Sequence, residues 1–102
     1  MNMLRLTFIA SLVLLILTGF ALAGHNVELY TTSWCPYCTK ARDFFRSRGV
    51  PFTEYDVEKD KEAAQRYRQM NSRGGVPFVV IDGQRIAGFS EAAYEKALKS
   101  GR

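Results

Sequence analysis

The chain has two cysteines, and they stand three positions apart in Ser33-Trp34-Cys35-Pro36-Tyr37-Cys38. Such a pair suits a redox-active dithiol, half of a metal site, or a short structural staple. The staple is the weakest option, because closing so small a loop removes little chain entropy from the unfolded state. A structural zinc wants four ligands, and beyond the two thiols the chain has a single histidine, His25, ten residues upstream. Two chains could pool four thiols, or hold an iron–sulfur cluster with thiols from outside, so a metal- or cluster-binding module is the competing class. A dithiol needs nothing beyond this chain, and C-x-x-C placed after a strand and opening a helix is a fairly specific redox pattern.

The elements around the pair decide what each sulfur can do. Val27-Glu28-Leu29-Tyr30-Thr31 has strand-like alternation and composition, and predicts a first strand. Pro36 stands where a helix tolerates a missing N–H, and Cys38, Ala41, Phe44 and Phe45 then recur at helical spacing until Gly49, which predicts a helix over 35–48. Cysteines at i and i+3 of a first turn share one side of the helix, close enough for a disulfide. Cys35, at or before the first helical residue, can receive the free N–H groups of that turn. A thiolate there is also favoured by the helix dipole, an effect of roughly 0.3–2 kcal/mol, with Lys40 or Arg42 nearby to add to it. Cys35 is therefore expected to attack, and Cys38, one turn deeper, to resolve the mixed disulfide. Pro36 stiffens the turn, Tyr37 occupies its exposed tip and lines the site, and Trp34 flanks it.

Downstream, Thr53, Tyr55 and Val57 alternate with Glu54 and Asp56 as a second strand, parallel to the first because a helix separates them. Residues 58–71 are rich in helix formers, with Ala63, Ala64, Tyr67 and Met70 on a narrow apolar face. Val76 to Ile81 is a continuous apolar run of strand length, and Asp82-Gly83 before Gln84 to Ala87 predicts an antiparallel hairpin. Ser90 can cap a last helix that buries Tyr94, Ala97 and Leu98. The order β-α-β-α-β-β-α describes an α/β fold with a four-stranded mixed sheet flanked by helices. In such sheets the functional crevice lies beyond the carboxyl ends of the parallel strands, where the cysteines fall.

A chain of 102 residues holds one domain, and its N-terminus shortens that domain further. Arg5 precedes the dense apolar run Leu6 to Phe20, and Ala21-Leu22-Ala23 follows, the three-part layout of a secretory signal cleaved before Gly24. The alternative is an uncleaved anchor, a membrane tether through residues 4–23, since about 18 residues is the lower limit for spanning a hydrocarbon core. The expected division is thus a leader over 1–23 and a domain over 24–102, exported to a periplasm or secretory lumen or held at its membrane. The net charge of +4 comes from 14 basic residues interleaved with 10 acidic ones. No basic run or aromatic stripe accompanies it, so no nucleic-acid partner is expected.

The Cys-Pro-Tyr-Cys sequence, the preceding Val27-Glu28-Leu29-Tyr30-Thr31, the Val76-Pro77 pair before the third strand and Gly88 after the fourth together resemble a dithiol glutaredoxin of the thioredoxin-fold superfamily. The resemblance runs over 27–98. It implies a monomeric thiol–disulfide oxidoreductase that binds no cofactor, takes glutathione as co-substrate, and acts on disulfide-containing or glutathionylated proteins. It also implies a cis Val76–Pro77 bond facing Cys35, with the backbone of Val76 pairing with the backbone of a bound thiol peptide. Arg73 becomes the candidate cation for a peptide carboxylate, and Gly88, Phe89 and Ser90 complete the binding set, with the last helix N-terminus able to receive a carboxylate. Three positions depart from the pattern. Thr32 stands where many members carry a lysine that helps hold glutathione, Gly75 replaces the usual threonine before Val-Pro, and Phe89 resembles the Gly-Phe of NrdH-type redoxins, which draw electrons from thioredoxin reductase.

Overall fold

A computed structural model of the chain describes residues 24–100. The expected leader over 1–23, with its cleavage or anchoring, and the last two residues lie outside that range. The elements are β1 (Val27–Thr31), α1 (Pro36–Ser47), β2 (Thr53–Asp56), α2 (Lys61–Met70), β3 (Phe78–Ile81), β4 (Gln84–Ala87) and α3 (Glu91–Ser100). They build one four-stranded sheet in the order β2-β1-β3-β4, with β1 parallel to β2, β3 antiparallel to β1, and β4 antiparallel to β3.

Alternation along the two central strands supplies both faces of the sheet. Val27 and Leu29 of β1 join Val79 and Ile81 of β3 beneath Ala41, Phe44 and Phe45 of α1 and Tyr94 and Ala97 of α3. On the other face Tyr30, Phe78 and Val80 pack under Ala63 and Tyr67 of α2, with Tyr55, Val57, Met70 and Val76 at the margin. The first face is held by an aromatic lattice. Phe45 stacks on Tyr94 at 5.2 Å, Phe44 meets Tyr94 edge-on at 5.5 Å, and Phe52 and Phe89 stand 5.8 Å from Phe45 and Tyr94 respectively. Each such pair adds about 0.5–1.5 kcal/mol beyond the area it buries. Because α1 carries the cysteines and α3 follows Gly88 and Phe89, the lattice fixes these two parts of the site relative to each other.

Element boundaries differ from the sequence reading where a side chain intercepts the backbone. Helix α1 starts at Pro36 because Cys35 is its extended N-cap, and it ends near Gly49, whose φ of +66° lets Val50 N–H return to the Phe45 carbonyl at 2.9 Å. Helix α2 starts three residues later than expected, since the Asp60 carboxylate accepts from Ala63 N–H at 3.1 Å and makes Asp60 the cap. Strand β2 stops at Asp56 because its carboxylate turns the chain by accepting from Glu58 N–H. Strand β3 starts at Phe78 and not at Val76, as Pro77 has no N–H to give to the ladder. Asp82 and Gly83, with φ of +49° and +85°, form the hairpin turn as read.

Candidate functional site

The central strand β1 ends at Thr31 and the chain passes through Thr32, Ser33 and Trp34 into α1, so Cys35 and Cys38 sit at the carboxyl end of the sheet's middle. The two are joined as a disulfide, with Cα atoms 5.2 Å apart. The Cys35 Sγ accepts the Cys38 backbone N–H at 3.1 Å, as a helix-capping side chain does. Cys35 is 6 % exposed and Cys38 is fully buried, so an incoming disulfide reaches the sulfur of Cys35 first.

Across from Cys35, the Val76–Pro77 peptide bond is cis and the Val76 carbonyl oxygen lies 3.7 Å from the Cys35 Sγ. This segment is braced from both sides. From α2, the Tyr67 hydroxyl donates to the Gly75 carbonyl at 2.6 Å, and the Asn71 side-chain amide donates to the carbonyls of Gly74 and Gly75 at 3.2 and 3.3 Å. From the far side, Gly88 N–H donates to the Pro77 carbonyl at 2.8 Å, while the Tyr94 hydroxyl donates to the Gly88 carbonyl at 2.6 Å. Burial pushes both tyrosine hydroxyls above their ordinary pKa, so both stay protonated donors near neutral pH.

The rim is aromatic. Tyr37 is exposed, its ring 6.4 Å from that of Phe89, and the Lys40 ammonium stands over the Tyr37 ring, 5.0 Å from its centroid. Trp34, 68 % exposed, is tied by its indole N–H to Glu58 at 3.1 Å. Ser90 caps α3 by accepting Ala93 N–H at 3.2 Å. Arg73 lies exposed on the loop after α2, and among the described residues no hydrogen bond or ion pair joins it to the other site residues. Cys35, Cys38, Val76, Pro77 and Gly88 thus form one continuous group, Tyr37 and Phe89 form its edge, and Arg73 and Ser90 stand outside that contact network.

Three positions gain contacts or surroundings that their sequence reading did not give them. Arg42 is engaged away from the thiols: its guanidinium grips the Glu54 carboxylate with bonds of 2.8 and 2.6 Å, and the Thr31 hydroxyl donates to the same carboxylate at 2.9 Å. The Arg42 bonds, more than that of Thr31, hold Glu54 below the usual carboxylate range. Thr32 is 6 % exposed, and among the described residues its hydroxyl has no hydrogen-bond partner. His25, named above only as the chain's single histidine, bonds the Asp82 carboxylate at 2.8 Å. Asn71, Tyr67 and Tyr94 were missed as site residues because the tyrosines read as apolar helix faces. The available signal was chemical: a buried tyrosine hydroxyl needs an acceptor, and loop carbonyls are the nearest supply.

The arrangement is that of a reversible dithiol–disulfide couple, with one slightly exposed cysteine beside a backbone carbonyl and one fully buried beneath it. Among the described residues, no group of three or more His, Cys, Asp or Glu side chains gathers to hold a metal ion.

Known proteins place this geometry in a family. The glutaredoxin family model matches residues 27–86. Glutaredoxin 3 of Escherichia coli K12 is 36 % identical over 63 residues, covering 62 % of this chain and 76 % of its own. A glutaredoxin-like 8.6 kDa protein from the rubredoxin operon of Clostridium pasteurianum is 30 % identical over 73 residues, covering 72 % of this chain and 97 % of its own. Among solved structures, the thioredoxin-like protein BC3987 superposes with a TM-score of 0.66 at 34 % identity, over 70 % of this chain and 97 % of that one. With its thioredoxin-like fold and its paired cysteines at the helix start, the chain belongs to the glutaredoxin family and is a glutaredoxin-like thiol–disulfide oxidoreductase.

Proposed function

We propose that the protein exchanges two electrons with protein disulfides or glutathione mixed disulfides, with Cys35 as nucleophile and Cys38 as resolving thiol. In the reduced protein the Cys35 thiolate attacks one sulfur of the target disulfide. The bond between the two target sulfurs breaks, one leaves as a thiolate that takes up a proton, and Cys35 is left in a mixed disulfide. The Cys38 thiol then loses its proton and attacks the Cys35 sulfur, which releases the second target thiolate and forms the Cys35–Cys38 disulfide. The target gains two electrons from the dithiol and becomes two thiols, one proton coming from Cys38 and the other from solvent, since Cys35 reacts as the thiolate. The observation that carries the assignment is the asymmetry of the pair: the Cys35 Sγ caps α1, accepts the Cys38 N–H at 3.1 Å and keeps a small exposure, while Cys38 is fully buried. The hydrogen bond and the helix N-terminus stabilise the thiolate of Cys35 and not that of Cys38.

In this reading the backbone of Val76 pairs with the backbone of a bound thiol peptide, Pro77 and Gly88 hold Val76 in place, Tyr37 and Phe89 line the entry, and Arg73 and the Ser90 turn receive peptide carboxylates. Reduced glutathione regenerates the dithiol. A second reading, reduction by a thioredoxin reductase, is favoured by two residues. Thr32 is uncharged and buried where many members carry a glutathione-holding lysine, and Phe89 occupies the edge of the site. The leader over 1–23 points to an exported or membrane-tethered protein, so its targets are proteins outside the cytoplasm.

Trapping tests the roles. Cys38→Ser is expected to accumulate a covalent adduct on Cys35 and Cys35→Ser to yield none; equal yields from both would sink the assignment. A glutathione-coupled hydroxyethyl disulfide assay, run beside one coupled to thioredoxin reductase, separates the two electron donors. The mass of the protein purified from its host reports cleavage before Gly24.

A further inference from the structure

Two tyrosine hydroxyls reach the substrate loop from opposite faces of the sheet. Tyr67 comes from α2, over the cluster of Tyr30, Phe78 and Val80, and its hydroxyl holds the Gly75 carbonyl at 2.6 Å. Tyr94 comes from α3, inside the cluster of Phe44, Phe45 and Leu29, and its hydroxyl holds the Gly88 carbonyl at 2.6 Å. Gly75 immediately precedes Val76, so the Tyr67 hydroxyl acts on the peptide group that adjoins Val76, while the Tyr94 hydroxyl holds the carbonyl of Gly88, the residue whose own N–H donates to the Pro77 carbonyl. We infer that Tyr67 and Tyr94 are a pair of positioning residues that set the Val76 backbone for recognition of peptide disulfides, an inference that rests on the substrate-binding role proposed for Val76.

The physical case is that this loop is held by hydrogen bonds and not by side-chain packing of its two glycines. Gly74 and Gly75 have φ of +76° and +102°, conformations that an isolated chain with two glycines leaves readily, and neither glycine's Cβ position has an atom within 4 Å to confine it. The Gly75 carbonyl is instead held by donors from one helix end, Tyr67 and Asn71. Tyr67 is also locked in orientation, its ring 5.9 Å from Phe78 edge-on and 6.0 Å from Tyr30, so its hydroxyl stays where the carbonyl needs it. Tyr94 is locked likewise between Phe44, Phe45 and Phe89. A small shift in a positioned backbone group costs more than its distance suggests, because hydrogen bonding is lost steeply with angle. Only a substrate that itself has peptide groups would register that shift; a small disulfide needs the sulfur of Cys35 alone.

Tyr67→Phe and Tyr94→Phe in the full-length chain remove one hydroxyl each and keep the ring. The reduced proteins are mixed in stoichiometric amounts with oxidised glutathione, which has peptide groups, or with hydroxyethyl disulfide, which has none, and oxidation is followed through Trp34 fluorescence. Each variant is expected to react about ten-fold more slowly with oxidised glutathione, equivalent to about 1.4 kcal/mol, and within about two-fold of wild type with hydroxyethyl disulfide. Equal slowing with both disulfides, or with neither, overturns the inference. A second measurement does not depend on reactivity: amide exchange at Gly88 is expected to be about ten-fold faster in Tyr94→Phe, and an unchanged rate overturns the brace on that side. Wild-type protein oxidised by neither disulfide would defeat the proposed function itself, while Gly88 exchange would still report on the brace.

Discussion

The Cys35 Sγ lies 3.7 Å from the Val76 carbonyl oxygen although 41 residues separate them in the chain. Nothing local brings them together. The approach requires β1 to deliver Cys35 and β3 to begin immediately after Val76-Pro77, with the two strands antiparallel neighbours in which Tyr30 pairs with Phe78. Any change that moves this loop without touching a sulfur is therefore expected to change reactivity.

Gly75→Ala tests that expectation against an internal control. Gly75 and Gly83 have φ of +102° and +85°, and a Cβ at either meets nothing within 4 Å, so the cost of alanine is backbone strain alone, about 1–3 kcal/mol. Both substitutions should lower the unfolding midpoint in urea by similar amounts. Only Gly75→Ala should slow exchange with oxidised glutathione, by about ten-fold, since Gly83 lies in the β3–β4 turn and Gly75 adjoins Val76.

Thr32 offers a prediction with opposite signs for two replacements. Its buried hydroxyl has no partner among the described residues, so Thr32→Val keeps the shape, removes the unmet polar group and should stabilise the protein by about 1 kcal/mol. Thr32→Lys, which restores the residue that many glutaredoxins carry, must place an ammonium in a site 6 % exposed and should cost about 2 kcal/mol or more. Thermal unfolding of the two variants beside wild type gives both signs directly.

The Arg42–Glu54 pair predicts an acid-dependent share of stability. Glu54 is held below its ordinary value of 4.5, first by Arg42 and further by Thr31. A carboxylate whose folded pKa is depressed adds stability above its unfolded pKa, and that stability disappears as pH falls through the folded pKa. Both side chains are partly solvated, which limits the contribution to about 0.5–1 kcal/mol. Glu54→Gln should be less stable than wild type by this amount near neutral pH, with the gap narrowing as pH drops below about 4.5. A gap that stays constant down to about pH 2 would refute the linkage.

Phe45 is the packing counterpart. It is fully buried between Tyr94, Phe44 and Phe52, and Phe45→Ala should cost about 3–5 kcal/mol. A domain of this size has only a few kcal/mol in total, so the variant should be largely unfolded at about 37 °C by circular dichroism. Trp34→Ala, at a residue 68 % exposed, should stay within about 0.5 kcal/mol of wild type.

The elements legible in the sequence were those with local causes. Alternation around Val27 and Leu29, the proline-led helix through Phe44 and Phe45, and Asp82-Gly83 each act within a few residues, and each produced the element expected. Parallel pairing of β1 with β2 followed from the helix between them. Boundaries slipped where a side chain caps a backbone group, as at Asp60, or where Pro77 withholds an N–H. The closeness of Cys35 and Cys38 was legible because their spacing alone puts both sulfurs on one turn. Arg42 was misjudged as a neighbour of the thiols because its partner, Glu54, comes from β2, and Tyr67 and Tyr94 were read only as apolar faces because their acceptors, Gly75 and Gly88, lie in loops whose course no periodicity encodes.

At the opposite end of β1 from the disulfide, Asp82 accepts Asn26 N–H at 2.8 Å and bonds His25, while its own N–H donates to the Asn26 carbonyl at 2.8 Å. These contacts fasten the start of the domain to the β3–β4 turn. Five residues of strand separate that clasp from the loop holding Cys35, about 16 Å at strand rise. Whatever is joined upstream of Gly24 is thereby attached at the pole remote from the sulfurs, so a tether there would present the disulfide outward, toward the proteins that come to meet it.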